Sequence, residues 1–204
     1  MTTAFVALGS NLAGVLESPR AQLKAALAAM DELAFSRIRR VSSFYSTPAW
    51  GDMDDGDTEV GDTDQGDADG TDAGRADDNA DNKQHRYVNA VAEIQTDLAA
   101  DALLRALQAI ESAAGRLRDP NRPNGPRTLD LDLLIYGQLR INTIDLTCPH
   151  PRMHKRAFVL LPLLEIAPDV QIPGLGKADS YLAALTLSDI FKLEPEFPHG
   201  LYQS

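Results

Sequence analysis

The chain lacks most of the features that mark secreted, membrane or disulfide-bonded proteins. It has one cysteine, Cys148, among 204 residues. One thiol closes no intramolecular disulfide and builds no cysteine zinc site, so the expected setting is a reducing cytoplasm. No apolar run nears the ~18 residues of a spanning helix, so no membrane partner is expected. The opening MTTAFVALGSN has no basic segment and only a short apolar stretch, which argues against a signal peptide. Common nucleotide signatures are missing too. GxxxxGK followed by Ser or Thr is absent, and Gly174-Leu175-Gly176 does not complete GxGxxG. No Ser-His-Asp or Cys-His arrangement stands out, and Cys148 reads as a packed thiol. Basic charge is scarce, with 19 Lys and Arg against 30 Asp and Glu and a net charge of −11, which disfavours nucleic acid as a partner.

The acid is concentrated. Residues 52–86 hold thirteen acidic and three basic side chains, leaving 17 acidic and 16 basic elsewhere. Met53 and Val60 are the ribbon's large apolar residues, and five glycines interrupt it. Such a segment cannot bury enough surface to offset its ordering entropy. It reads as a disordered insertion, stretched by like charge, in a single domain spanning 1–204. Lengthening a loop from about 6 to about 35 residues costs on the order of 1.5 kcal/mol in closure entropy, which a fold tolerates. A calcium loop fits poorly: Gly70, the nearest match, has Asp67 and Asp69 but Gln65 and Ala76 where acids are needed.

Elsewhere the patterns are regular. Phe5–Leu8 predicts a buried strand ended by a Gly9-Ser10-Asn11 turn. Leu23, Ala26, Leu27, Met30 and Leu33 predict a helix over 19–34, capped by Ser18. Residues 38–46 are β-prone, and Tyr87–Thr96 alternates, with Tyr87 and Asn89 on one face. A second helix is expected over 101–117 and a strand over 129–136, followed by a short return strand near Arg140-Ile141. A third helix is expected over 154–166, with Phe158, Leu161, Leu164 and Ile166. The expected class is α+β: one mainly antiparallel sheet with helices packed on it.

Chemistry gathers around GPRTLDLDLLI (125–135). Asp130 and Asp132, two apart on a strand, share a face. Paired carboxylates repel unless a cation lies between them, and Mg²⁺ shared with substrate phosphates fits. Arg116, Arg118, Arg122 and Arg127 surround a Pro/Gly/Asn-rich loop, and His150, Arg152, Lys155 and Arg156 form a second basic group. Arginine forks match phosphate oxygens. An aromatic ring and an amide, Tyr87 and Asn89, can stack on and hydrogen-bond a flat heterocycle. On these residues two other readings stay open: a DxD metal-dependent nucleotidyl or glycosyl transferase, and a non-enzymatic divalent-ion-binding protein dominated by the ribbon.

In combination, FVALGSNL (5–12), SSFYSTPAWG (42–51), YVNAV (87–91), IESAAGR (110–116), GPRTLDLDLLIYG (125–137) and PHPRMHKRAFVLLPLLEIAP (149–168) resemble the 6-hydroxymethyl-7,8-dihydropterin pyrophosphokinases of folate biosynthesis. The resemblance implies a ferredoxin-like α+β sandwich. It implies transfer of pyrophosphate from ATP, as co-substrate, to 6-hydroxymethyl-7,8-dihydropterin by a cytoplasmic monomer. By the same resemblance, Asp130 and Asp132 hold two Mg²⁺ ions. Thr47, Pro48, Trp50, Tyr87, Asn89 and Phe158 bind the pterin. Arg116, Arg118 and Arg127 are catalytic and contact ATP, together with His150 and Arg156. Leu104, Gln108, Glu111, Leu133 and Thr147 line the nucleotide. Three departures from the family pattern stand out: Asn124 replaces a common aromatic, Asp145 stands where a basic residue contacts ATP, and the ribbon falls between Gly51 and Tyr87. Its charge beside an anionic nucleotide is expected to weaken ATP capture at low salt.

Overall fold

A computed structural model describes residues 1–12, 14, 16–48, 86–115 and 128–194. Residues 52–85 of the acidic insertion, with its calcium-loop alternative, and Trp50, Arg116, Arg118, Arg122, Asn124 and Arg127 lie outside these. The first apolar run becomes strand β1 (Thr2–Ser10). It outlasts the expected Phe5–Leu8 because Gly9 and Ser10 continue the ladder instead of turning, pairing with Asn89 and Val88. Helix α1 (Pro19–Asp31) starts as expected: Ser18 Oγ accepts from the Ala21 N–H at 3.2 Å, and proline opens the first turn, where no N–H is needed.

The β-prone stretch splits into β2 (Ser36–Val41) and β3 (Tyr45–Thr47), both antiparallel to β4 (Tyr87–Thr96). Ser42 sits at the break. Its N–H donates to the Val91 carbonyl and its Oγ accepts from the Val91 N–H, each at 2.9 Å. A side chain thus replaces part of the ladder between the two short strands. Helix α2 (Ala100–Ala113) leads to β5 (Asp130–Tyr136). The expected return strand does not lie back on β5; β6 (Ile141–Asn142) pairs with β7 (Thr147–Cys148). A 3₁₀ turn (Met153–Lys155), α3 (Ala157–Ile166), β8 (Gln171–Ile172), β9 (Gly176–Lys177), α4 (Ala178–Leu182) and β10 (Phe191–Lys192) follow.

The main sheet runs β10–β3–β4–β1–β5, with β2 also on β4, and its pairs are antiparallel. This is a mixed α and β architecture built on an antiparallel sheet. Helices α1 and α2 close one face over Val6, Leu8, Ile94, Leu131 and Leu133. Helices α3 and α4 cover part of the other, over Phe5, Val91, Leu134 and Ile135. A bulge serves both layers: Phe5 pairs with Ile135 and Val6 with Leu133, so the inserted Leu134 joins Ile135 under α3. On α3, Val159, Leu160, Leu163 and Ile166 are buried, while Phe158, Leu161 and Leu164 are only partly covered. Among the described residues, no helix is long and apolar enough to cross a membrane.

Candidate active site

The site follows from strand register. Antiparallel partners point to the same face, and successive rows lie two residues apart. Along β1 the row Ala7 joins Val91 to Asp132, and the row Gly9 joins Asn89 to Asp130. Tyr45 of β3 extends the second row, and Thr47 pairs with Tyr87 one row on. On this face β1 therefore supplies only a methyl group and a hydrogen between the Asn89 side and the two aspartates. The result is an open cavity, with about 710 Å³ of empty space when the open solvent at its mouth is included. Ala7 and Gly9 form its floor. Thr47, Pro48, Tyr87 and Asn89 lie to one side, Asp130 and Asp132 to the other, with Arg156, Phe158 and Val159 of the α3 segment also lining it.

Polar geometry is tight on both sides. Asn89, buried, donates through Nδ2 to Thr47 Oγ1 at 2.9 Å. Arg156 Nη1 lies 3.7 Å from Asp132 Oδ2, and its guanidinium carbon sits 5.6 Å from the Phe158 ring centroid. The His150 N–H bonds the Leu134 carbonyl at 2.9 Å, which fixes that residue beside β5. Its Nδ1 accepts from the Arg152 N–H at 3.3 Å. The proton of the neutral ring is thereby assigned to Nε2, 3.9 Å from Asp132 Oδ2. Burial first, then the Arg156 and Arg152 cations, push this imidazole down to about 4. The His150–Asp132 contact at neutral pH is thus a dipole facing a charge, not an ion pair. Among the described residues, no group of three or more His, Cys, Asp or Glu forms a cation cage. A hard divalent cation on Asp130 and Asp132 would complete its shell with water or phosphate oxygens, which suits Mg²⁺.

Thr47, Pro48, Tyr87, Asn89, Phe158, Asp130, Asp132 and Arg156 are thus brought together, with His150 adjoining. The expected nucleotide-lining residues are not in this cavity. Leu133 is in the core under α1 and α2, and Leu104 packs against that core's edge. Gln108 is half-buried on α2 and Thr147 is exposed on β7. Glu111 is 2% exposed, its Oε1 accepting from the Leu131 N–H at 2.7 Å. A carboxylate so buried needs such a donor, and the bond ties α2 to the sheet's outer strand. Cys148 is buried with its thiol pushed up to about 11 by desolvation, inert as the packed thiol expected.

Gly9 is the residue that the sequence pattern concealed. A Cβ there would lie 3.0 Å from Asn89 Oδ1. Glycine inside a strand often marks such a close approach, and that was the available signal.

Residues 70–168 match the family model described as 7,8-dihydro-6-hydroxymethylpterin-pyrophosphokinase. The Pseudomonas aeruginosa 2-amino-4-hydroxy-6-hydroxymethyldihydropteridine pyrophosphokinase is 39% identical over 189 residues, covering 93% of this chain and 95% of the relative.

The chain belongs to the hydroxymethylpterin pyrophosphokinase family.

Another pyrophosphokinase of the same name, from Haemophilus influenzae, is 40% identical over 195 residues, covering 96% of this chain and all of the relative. In fold, the chain is similar to the Plasmodium falciparum HPPK-DHPS crystal structure with SDX-DHP, at a TM-score of 0.57 and 14% identity. That likeness covers 90% of this chain but only 43% of the Plasmodium chain, so this pyrophosphokinase family member spans less than half of that longer protein.

Proposed function

We infer that this protein transfers the β,γ-diphosphate of ATP to the hydroxymethyl oxygen of 6-hydroxymethyl-7,8-dihydropterin, releasing AMP, as a step of folate biosynthesis. The observation that carries the reading is the single cavity with an aromatic and amide wall on one side and two carboxylates on the other, divided only by Ala7 and Gly9. A flat pterin occupies the first side between Tyr87 and Phe158. Asn89 and the Thr47–Pro48 segment read its polar edge. This leaves the hydroxymethyl group over the small floor, facing the phosphate side.

There the hydroxyl oxygen bonds to the β-phosphorus as the bond from that phosphorus to the α,β-bridging oxygen breaks; AMP leaves with that oxygen, and the hydroxyl proton passes to water. Such transfer needs positioning and charge neutralisation more than covalent help. Asp130 and Asp132 hold Mg²⁺, two ions by family resemblance. When bound, Mg²⁺ neutralises and aligns the triphosphate. Arg156 and His150 adjoin Asp132 and orient phosphate oxygens. Arg116, Arg118 and Arg127 supply further cations. Leu104, Gln108, Glu111, Leu133 and Thr147 belong to the nucleotide side of this reading. Trp50, on the segment after Pro48, adds to the pterin side.

The chain order β-α-ββ-β-α-β, with antiparallel neighbours β3–β4–β1–β5, supports a ferredoxin-like sandwich. The reading takes the chain as one domain, residues 1–204, with a solvated acidic insertion, acting as a cytoplasmic monomer on small molecules.

AMP release from ATP and Mg²⁺, with and without the pterin, tests the reading. Pterin-dependent AMP is expected from the wild type. Asp130→Ala with Asp132→Ala is expected to lose it by about a thousandfold or more. A folded wild type that releases no AMP in response to pterin would sink the assignment.

A further inference from the structure

We propose that Glu165 is a positioning residue for the pterin side of the cavity. It locks the strand carrying Thr47 and Pro48 to the helix carrying Phe158. The inference rests on the pterin reading above.

Glu165 collects four hydrogen bonds on one carboxylate. Oε2 accepts from the Ser43 N–H at 3.0 Å and the Tyr45 hydroxyl at 2.9 Å. Oε1 accepts from the Ser43 hydroxyl at 2.7 Å and Lys192 Nζ at 2.8 Å. Its side chain is only 26% exposed. These donors come from the link between β2 and β3, from β3 itself and from β10. Charge-assisted bonds of this kind are short and directional, so four of them define a place rather than a general attraction.

The geometry connects that place to the cavity. Phe158 and Glu165 are seven residues apart on α3, which is close to two helical turns and so the same side of the helix. Phe158 lines the cavity; Glu165 grips β3. Tyr45 lies in register with Asn89, and Thr47 with Tyr87. Thr47 Oγ1 in turn accepts from Asn89. Any slip of β3 against α3 therefore moves Thr47 and Pro48 relative to Phe158 and disturbs the Asn89 amide.

Strand β3 needs the help. It has three residues and only the two-residue β10 on its outer edge. The β10 segment reinforces the same grip: the Leu193 N–H donates to the Phe44 carbonyl at 2.8 Å. Arg86 donates to Ser46 Oγ at 2.8 Å and to the Ser46 and Asp189 carbonyls, while stacking 5.1 Å over Phe191. A further tie from the end of α3, Arg40 Nη1 to the Ile166 carbonyl at 2.8 Å, reaches β2 and not β3.

The test compares Glu165→Gln, Glu165→Asp and Tyr45→Phe with the wild type, reading pterin KM, ATP KM, kcat and thermal midpoint. Glu165→Gln is expected to raise pterin KM about tenfold and leave ATP KM within about twofold. Tyr45→Phe, which removes one of the four bonds, is expected to raise it less. Glu165→Asp is expected to recover part of the loss. A pterin KM unchanged in both Glu165→Gln and Tyr45→Phe, with only the thermal midpoint lowered, overturns the proposal and leaves a purely structural tie. Failure of the pterin reading itself is separable, because it appears as a wild type without pterin-dependent AMP. Hydrogen exchange at residues 43–48 then decides: faster exchange in Glu165→Gln than in the wild type supports the lock, and equal exchange overturns it.

Discussion

Strand β1 sends alternate residues to two faces of one sheet, and the two sets differ. Ala4, Val6 and Leu8 face α1 and α2 and are buried throughout the strand's length. Phe5, Ala7 and Gly9 face the other way and shrink toward the cavity. Neighbouring strands change in step. Opposite Phe5, Ala7 and Gly9 the β4 partners are Glu93, Val91 and Asn89, with Tyr87 one row on; on β5 they are Ile135, Asp132 and Asp130. The closed face spends its apolar area on stability. The other face is apolar only under α3 and turns small and polar beyond it, which leaves a cavity where a ligand can lie. A single sheet therefore separates holding the fold together from doing chemistry.

This separation can be broken from either side. The largest expected effect is on the closed face. Leu27→Ala, in helix α1 and fully buried, should cost about 2–5 kcal/mol of stability, read from denaturant midpoints, by lost burial and a residual cavity. Both KM values per folded molecule should stay unchanged. A large change in pterin KM would show that the faces are coupled.

Gly9→Ala tests the opposite face. The new Cβ, 3.0 Å from Asn89 Oδ1, must push a buried amide already bonded to Thr47. Pterin KM should rise about tenfold, equivalent to ~1.4 kcal/mol, with little change in stability. An unaltered pterin KM would remove Gly9 from the floor of the site.

Acid sharpens the comparison at the seam between the faces. Burial alone would raise the Glu165 carboxyl, but bonds from Lys192, Ser43 and Tyr45 outweigh it and hold the group below the ordinary carboxylate range. A depressed folded-state pKa means that this stability is fully present above the unfolded value of ~4.3 and lost as pH falls through the folded value. Urea midpoints for wild type and Glu165→Gln should therefore converge as pH drops from 7 toward 3. A constant gap over that range would contradict the ionised network.

The smallest expected effect lies outside both faces. Replacing residues 52–85 with a short neutral loop, which keeps Arg86 and its bonds to Ser46, should lower ATP KM about threefold at low salt, with the difference fading as screening shortens the field. Equal ATP KM at low and high salt would make the insertion electrostatically inert toward the nucleotide.

Much of this could be read from local pattern. The period of two put Asp130 with Asp132 and Tyr87 with Asn89 before any pairing was known, and Ser18-Pro19 marked a helix start that the structure keeps. Other features could not be read that way. Gly9 looked like a turn because its strand partners are eighty and more residues away. The split at Ser42 depends on a side chain replacing a ladder bond to Val91. The buried side of helix α3, with Val159, Leu160, Leu163 and Ile166, could not be picked out because its apolar residues run all around it. The burial of Glu111 against the closed face was also out of reach, since it depends on the Leu131 N–H of a distant strand.

The sequence by itself determined the inventory: an antiparallel α+β domain with paired aspartates, an aromatic–amide pair, a basic cluster at the start of α3 and an acidic ribbon set into an otherwise near-neutral chain. Periodicity and composition are local properties, and they survive without knowledge of partners. Only the tertiary structure decided that Asn89, Gly9 and Asp130 share a row, that Leu134 is a bulge, and that Glu165 joins α3 to β3 and β10. Those outcomes depend on register between segments far apart in the chain. Register is set by burying both sheet faces at once, a collective energy that no short stretch of residues carries.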